Sequence, residues 1–362
     1  MSQLPKHDPP LPAPTPRIRR ELPALGFGAA ASLVVVLLSY LGSRGFKDFD
    51  VALIGYFVGT VFATGAIVYR YTLWITRPPT WRYFRAGWAN FFSWKNFRRY
   101  ALFLPKTIWH DLIAQTFILK RSKLRWVMHQ TIFWGVIGSL AVTIPLTLGW
   151  IRFTLTPPDD YNAVVFGITV MRFPIEAGTG FMIFHVLNWT ALLLIIGLGI
   201  ALWRRVSDVG LLTTQRFGFD LVPLLLLLAI AVTGLLLTAS SLWWHGQYYW
   251  FISLTHQVIV VAWMLSIPFG KFFHVVQRPA SVGVKLYQHV NQDIESAGGV
   301  CRGCGEALPS AQFIEDLKTN IQDLGMDFDL GDDRGTLQDY CPTCKRTMRG
   351  AAYYQLLGKR FL

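Results

Sequence analysis

The chain of 362 residues contains few charged side chains. Only 15% of its residues are Asp, Glu, Lys or Arg, against about 25% in an average soluble domain, and 52% are hydrophobic. This composition excludes a soluble globular protein for most of the chain. The N-terminal stretch MSQLPKHDPPLPAPTPRIRR also lacks the compact apolar run and the small-residue cleavage site of a signal peptide. We expect a short disordered arm over residues 1–23.

Long apolar segments account for the low charge. Six of them are each close to the ~20 residues that a helix needs to cross the hydrocarbon core of a membrane. Their bounds are 24–43, 52–76, 124–148, 178–203, 218–240 and 250–273. We therefore predict an all-α integral membrane bundle, in which residues 24–77 add two helices to a four-helix core over residues 124–279.

Lysine and arginine are distributed unevenly around these segments. The stretch 82–125 has ten basic residues and one acid, and three arginines flank the connection after the fourth span, whereas the alternate connections are neutral or acidic. The positive-inside rule places both termini in the cytoplasm of a multi-pass protein of the cell membrane. Since the excess charge flanks spans, we expect membrane lipid, and not nucleic acid, as its partner.

Residues 78–123 interleave aromatic side chains with cations, as in PTWRYFRAGWANFFSWKNFRRY. This pattern predicts a cytoplasmic amphipathic segment that lies in the headgroup layer. A docking surface for a partner subunit is the alternative.

All four cysteines follow residue 279. They form two C-x-x-C pairs, in CRGCGEALP and DYCPTCKRTM, at Cys301, Cys304, Cys341 and Cys344. Four thiolates in this pattern suit one tetrahedral site for zinc, with rubredoxin-like iron as the alternative. We predict that residues 280–362 form a small cytoplasmic zinc-ribbon or rubredoxin-like module, without disulfides. The intervening PSAQFIEDLKTNIQDLG predicts an amphipathic helix.

Four histidines lie at matched depths within the spans. His129 and His274 are near the cytoplasmic ends, and His185 and His256 are near the outer ends. In THQVIVVAWMLSIPFGKFFHVVQRP, eighteen residues separate the two histidines, which makes five complete turns of one helix and about 27 Å along its axis. Ionisable groups inside a membrane are costly, so they indicate function. A hydrogen bond to a neighbouring helix is the simpler interpretation of any one of them.

Paired imidazoles at two heights suit two b-type haems, each with two histidine ligands, which carry electrons without activating oxygen. The sequence has no C-x-x-C-H motif, which excludes covalently attached haem. We expect small residues to give the porphyrins room between helices, at Gly135, Gly138, Gly178 and Gly180. Cations near the cytoplasmic pair are candidate partners of the haem propionates, at Arg125, Lys271 and Arg278.

Two stretches, RSKLRWVMHQTIFWGVIGSL and THQVIVVAWMLSIPFGKFFHVVQRP, resemble the membrane cytochrome b of the nitrate reductase gamma-subunit family. That family includes membrane subunits of sulfite-reductase-associated and heterodisulfide-reductase-like complexes. The resemblance covers roughly residues 100–280 and is most specific at His256, Pro268, Lys271 and His274. It implies a subunit that oxidises quinol and passes electrons through two haems to a cytoplasmic iron–sulfur subunit and a catalytic subunit with molybdopterin or another redox centre.

The sequence departs from this family at position 139. In the nitrate reductase branch both remaining ligands lie on one helix, ten residues apart; His129 fits the first, but residue 139 is Ser. We therefore predict that the outer haem takes His185 as its second ligand, with His245 as the competitor. A protein with the cytoplasmic-side haem alone is a further alternative.

Oxidation of quinol also needs a proton acceptor near the outer haem. The candidates are His245, which we rank first, Glu176 and Arg172. We predict an electron-transfer subunit that connects the quinone pool to a cytoplasmic oxidoreductase. The alternatives are the reverse flow of electrons, from a cytoplasmic dehydrogenase into quinone, and a haem-free anchor or transporter. The apolar centres of the spans argue against transport.

Overall fold

A computed structural model describes residues 17–157, 159–174, 176, 178–289 and 298–357. The described part of the chain is mostly helical, with 74% of its residues in helices. The α-helices are α1 Arg17–Gly42, α2 Ile54–Ile75, α3 Pro78–Phe92, α4 Trp94–Arg99, α5 Phe103–Ile108, α6 Thr116–Leu119, α7 Lys123–Thr147, α8 Gly178–Phe184, α9 Val186–Ser207, α10 Val209–Thr214, α11 Val222–Leu242, α12 Tyr249–Ser266, α13 His274–His289, α14 Ala311–Asp323 and α15 Pro342–Leu356. The strands are β1 Ile151–Thr156, β2 Asp160–Val165, β3 Ile168–Pro174, β4 Gly298–Val300 and β5 Ala307–Ser310.

Among the described residues, six helices are long and apolar enough to cross a membrane, which agrees with the predicted number. The segments are Arg20–Gly42, Val51–Ile75, Lys123–Thr147, Val186–Ser207, Phe217–Leu242 and Tyr249–Ser266. The first helix begins at Arg17, inside the stretch expected to be a disordered arm, of which residues 1–16 lie outside the described part of the chain. The cytoplasmic placement of both termini stays a prediction.

The last apolar helix is shorter than predicted. Helix α12 ends at Ser266, a turn follows, and α13 begins at His274 after one 3₁₀ turn over Lys271–Phe273. Pro268 lacks the N–H that a continuing helix would need, and Gly270 adopts an extended conformation with φ −98° and ψ −165°. The prediction that His256 and His274 share one continuous helix is therefore wrong.

Residues 151–174 form a three-stranded antiparallel sheet that the all-α prediction missed. Strand β2 lies in the middle, with Ile151 opposite Val165 and Tyr161 opposite Phe173. The loop between β2 and β3 consists of Phe166 and Gly167, which both have positive φ. A two-residue hairpin of type I′ requires this conformation, because its twist matches that of the strands.

The described chain divides into two compact units. The first comprises residues 22–72 and 109–277, and its core lies among α7, α9, α11 and α12. The buried side chains of that core are Ala191, Leu194, Leu198, Leu227, Ala231 and Trp263. We call this unit the helical bundle.

The second unit comprises, among the described residues, 17–21, 73–108, 278–289 and 298–357. It contains the four cysteines, and a small core of Cys301, Leu308, Ile314 and Cys341 underlies them. The amphipathic helix expected between the cysteine pairs is present as α14, and the Ser310 side chain caps its N-terminus. We call this unit the cysteine unit.

Candidate functional sites

His256 of α12 faces the interior of the helical bundle. Its Nδ1 atom lies 2.8 Å from Thr233 Oγ1 on α11. The Thr233 hydroxyl donates its one hydrogen to Ala229 O, at 2.6 Å, so it accepts a hydrogen bond from His256 Nδ1–H. This bond fixes the neutral tautomer and leaves the lone pair on Nε2, which is the arrangement that metal-binding imidazoles use.

His185 and His274 have the same arrangement with backbone oxygens. His185 Nδ1 lies 2.9 Å from Phe181 O, and the two rings stack with centroids 4.2 Å apart. His274 Nδ1 lies 2.6 Å from Lys271 O. Because a carbonyl oxygen only accepts, both Nδ1 atoms donate, and Nε2 again carries the lone pair. His185 sits where α8 gives way to α9, and His274 begins α13, so both stand at helix boundaries.

His129 lies on the face of α7 that contributes to the core. Three α7 residues, Ile132, Val136 and Leu140, pack against the core cluster. They follow His129 by three, seven and eleven residues, which places all four side chains within about 80° of one another around the helix. The half-buried His129 therefore shares the core-facing side of α7.

Gly135 and Gly138 lie where α7 packs against α9, and they serve a different purpose from the one predicted. A Cβ atom on Gly135 would stand 2.9 Å from Leu194 Cβ, and one on Gly138 would stand 2.7 Å from Thr190 Cγ2. Both glycines thus allow α9 to approach α7 closely. The expectation that they leave room for a porphyrin is wrong, because α9 fills that space. Gly178 instead has open space around it.

The break between α12 and α13 is held from two directions. The Arg70 guanidinium of α2 donates to Pro268 O and lies over the Phe273 ring, 4.4 Å from its centroid. Lys271 Nζ lies 2.6 Å from Asp220 Oδ1, just before α11. These contacts fix the segment that leads into His274. Sequence reasoning did not single out Arg70, although a lone arginine inside an apolar span was a usable signal.

The cations predicted to bind propionates have different surroundings. Lys271 is paired with Asp220, whereas Arg125 is exposed in the first turn of α7 and Arg278 is exposed in the second turn of α13. Their role toward a propionate stays a prediction. A haem propionate at Lys271 would share the ammonium group with the carboxylate of Asp220.

The three candidates for the outer quinone site are distributed over separate segments. His245 is exposed in the turn after α11, with φ 51°. The Arg172 side chain in β3 pairs with Asp160 of β2 at 2.8 Å, and Glu176 is exposed beyond β3. Within the described ranges, no hydrogen bond or ion pair joins these three side chains to one another. Their common role stays a prediction.

Trp263 carries a polar atom that the folded chain leaves unsatisfied. It lies seven residues after His256, on the same side of α12, and is 5% exposed. Among the described residues its indole Nε1 has no hydrogen-bond acceptor. A buried donor without a partner costs about 1–3 kcal/mol, so this position favours a bound group that supplies an acceptor.

The four cysteines of the cysteine unit form one cluster. Their sulfur atoms all lie within 4.8 Å of one another, and Cys304 Sγ is 3.7 Å from Cys341 Sγ. Ligands at the usual Zn–S distance of about 2.3 Å in a tetrahedron stand about 3.8 Å apart, so the cluster has the dimensions of a metal site. The predicted set of Cys301, Cys304, Cys341 and Cys344 is confirmed as a group that can bind a metal.

Backbone donors point at the sulfur atoms of this cluster. Cys301 Sγ accepts from Cys341 N at 3.2 Å and from Gly303 N at 3.4 Å. Burial raises the pKa of Cys301, but the backbone donors outweigh it and lower the pKa to about 6. The neighbouring Cys304 and Cys341 raise the pKa of Cys344. A cation at the centre removes this conflict, because it allows all four thiols to ionise.

The six membrane-capable helices and the four-cysteine cluster define the class: a helical, multi-pass membrane protein with a candidate metal site near its C-terminus. Comparisons of the chain with protein-family models, with curated proteins and with solved structures found no match. The family resemblance of the two histidine-containing stretches therefore stays a hypothesis.

Proposed function

We propose that the protein is a membrane-bound dihaem cytochrome b that exchanges electrons between the quinone pool and a cytoplasmic oxidoreductase. The observation that carries the proposal is the state of three imidazoles. His185, His256 and His274 each donate through Nδ1 to an oxygen atom, which leaves Nε2 available as a ligand. Ordinary packing does not require the same tautomer at three separate sites.

The residues present fit the group. His129 with His274 would hold one haem, and His185 with His256 would hold the other. Iron with two imidazole ligands has no open position, so the haem supplies one-electron transfer. The chain's own residues set the ligand orientation: Thr233 orients the His256 ring, and the segment fixed by Arg70 and Asp220 orients His274. The unsatisfied Trp263 indole, between the two ligand levels, offers a donor.

The rest of the proposal concerns the two ends of the path. His245, exposed in the outer turn, accepts one of the two protons that a quinol releases as it gives up two electrons, and the other proton passes to water; Arg172 and Glu176 assist. Electrons then pass inward to a cytoplasmic iron–sulfur subunit and its catalytic partner. The four-cysteine site holds zinc as a structural ion; iron there would extend the electron path. The resemblance to the nitrate reductase gamma-subunit family supports this direction of flow.

Haem content tests the proposal. The full chain is purified from membranes and assayed by pyridine haemochrome, and two haems per chain are expected. His256→Ala and His274→Ala should each remove one haem, whereas His110→Ala, a matched change at an exposed histidine, should remove none. A wild-type chain that contains no haem, although its six helices are folded, would reject the proposal.

A further inference from the structure

Helices α3 and α4 expose an unusual number of large aromatic side chains. The exposed residues are Trp81, Trp88, Phe91, Phe92, Trp94 and Phe97. Their ring contacts fall in two groups. Trp88 stacks on Phe92 with ring centroids 5.2 Å apart and both contact Phe91, and Trp94 stacks on Phe97 at 5.8 Å. We call this set the aromatic face. An exposed apolar surface of this size indicates a binding surface.

The opposite side of α3 is already covered within the cysteine unit. Arg82 donates to Asn320 Oδ1 at 2.8 Å and to Asp323 at 3.0 Å, and the Tyr83 ring packs on Phe313. Gly87 lies so close to α13 that a Cβ atom there would stand 3.2 Å from Gly283. These contacts fix the rotation of α3. Its open side therefore carries residues 81, 85, 88 and 92, at helical spacing.

The charge around the aromatic face has one sign. Residues 51–110 contain no Asp or Glu. Lys95, Arg98 and Arg99 line a shallow surface depression with Trp94, and Arg85 is exposed on the open side of α3. Lys95 and Arg98 form no ion pair with a carboxylate in the part of the chain that the structure describes. Lys95 and Arg98 are therefore available to a negatively charged partner.

The covalent chain limits where this surface can lie. Helix α2, one of the six membrane-capable helices, ends at Ile75, and α3 begins at Pro78. Three peptide units reach at most about 11 Å, so the start of α3 stays within that distance of the end of an apolar helix. Aromatic rings and basic side chains are the residues that favour the layer of lipid headgroups.

We propose that the aromatic face, with Arg85, Lys95, Arg98 and Arg99, binds the phosphate groups of anionic phospholipids. The rings insert at the boundary between headgroups and acyl chains, and the guanidinium groups form charge-assisted hydrogen bonds to phosphate oxygens. This surface therefore selects lipids by charge. The proposal is independent of the haem sites.

Lipid retention by the full chain tests this proposal. The protein in mild detergent is titrated with phosphatidylglycerol or with phosphatidylcholine, and bound lipids are counted by native mass spectrometry. We expect the wild type to retain phosphatidylglycerol more strongly than phosphatidylcholine. In the variant Lys95→Gln/Arg98→Gln the affinity for phosphatidylglycerol should fall about tenfold. The control Arg346→Gln/Arg349→Gln removes the same charge at the same i, i+3 spacing on α15 and should bind like the wild type.

Two results would overturn the proposal. One is equal affinity for the two lipids, or an unchanged affinity for phosphatidylglycerol in the Lys95→Gln/Arg98→Gln variant. The other comes from a parallel titration with a short single-stranded RNA. If that RNA binds and the same variant loses it while lipid binding stays unchanged, the surface recognises nucleic acid.

Discussion

In the helical bundle three of the four candidate ligands, His185, His256 and His274, are each oriented by one hydrogen bond to a nearby oxygen. In the cysteine unit four ligands converge within 4.8 Å and receive backbone donors. The difference follows from the surroundings. An imidazole in an apolar bundle needs a single acceptor to fix its tautomer. Thiolates repel one another and need both N–H donors and a cation. The bundle should thus persist without the proposed haems, and the cysteine unit should not persist without a bound metal.

Removal of the metal is expected to have the largest effect on this comparison. Four-cysteine sites contribute on the order of 10 kcal/mol of metal-binding free energy, which is folding free energy for a small unit. A chelator, or the variant Cys341→Ala, should make residues 298–357 sensitive to protease while the six apolar helices stay resistant. Limited proteolysis with metal analysis measures this. The control Thr343→Ala, at an exposed position between two ligands, should retain the metal.

Equal protease resistance of the cysteine unit with and without metal would contradict that expectation. It would mean that the small core of Leu308 and Ile314 is sufficient by itself.

The next prediction concerns the helical bundle and tests what stabilises the break between α12 and α13. Arg70→Met removes a charged donor from Pro268 O and the contact with Phe273, and we expect it to lower the free energy of unfolding by about 2 kcal/mol. Arg70→Lys keeps the charge and should lose less. Thermal unfolding in detergent measures the change, with Arg77→Met, at an exposed arginine after α2, as the control.

If Arg70→Met and Arg77→Met unfold at the same temperature, the arginine does not stabilise the break. The orientation of His274 would then depend on the Lys271–Asp220 pair alone.

The hydrogen bond to His256 is expected to have a smaller effect. Thr233→Val removes the acceptor without a change in size, and the loss of an oriented ligand should weaken haem binding about tenfold and shift the midpoint potential of one haem. The control is Thr255→Val, the same change at the residue before His256. The Thr255 hydroxyl donates to Phe251 O and not to the imidazole. Redox titration followed by optical spectroscopy distinguishes the two variants. Identical titrations would show that Thr233 does not act through His256.

The smallest effect concerns an ion pair of the cysteine unit. Burial raises the pKa of Asp339, but hydrogen bonds from Lys318, at 2.9 Å, and from Thr336 outweigh it and lower the pKa. The stability that this carboxylate contributes, about 1 kcal/mol, should be present above its ordinary pKa near 4 and be lost as the pH falls through the lowered value. Asp339→Asn should remove this dependence, as measured by unfolding of the metal-loaded chain between pH 3 and 7.

The cysteine unit was the more predictable of the two regions. Cys301 and Cys304 are three residues apart, as are Cys341 and Cys344, so each pair is close in space because it is close in sequence. Most of the site can therefore be predicted from two short segments. The docking of α3 on α14 was not predicted, because the contacts of Arg82 with Asn320 and Asp323 join positions more than 200 residues apart.

The helical bundle was predictable in its spans and less so in its details. The length of the apolar segments is sufficient to find six helices. The prediction that His256 and His274 lie five turns apart needed one continuous helix, but α12 ends at Ser266, just before Pro268. The sheet over 151–174 had a visible signal, since strand residues alternate there around turn residues such as Pro157 and Gly167. The role of Gly135 depends on its contact with α9, and the sequence around Gly135 does not show which helix packs there.

The central claim is that imidazole pairs from this chain bind two haems, and low-temperature electron paramagnetic resonance of the oxidised, purified full chain tests it most directly. The account predicts two low-spin ferric species with bis-histidine ligation, of which His256→Ala removes one and His274→Ala the other. A spectrum without a haem signal, or one with a single high-spin species that neither variant alters, would contradict it.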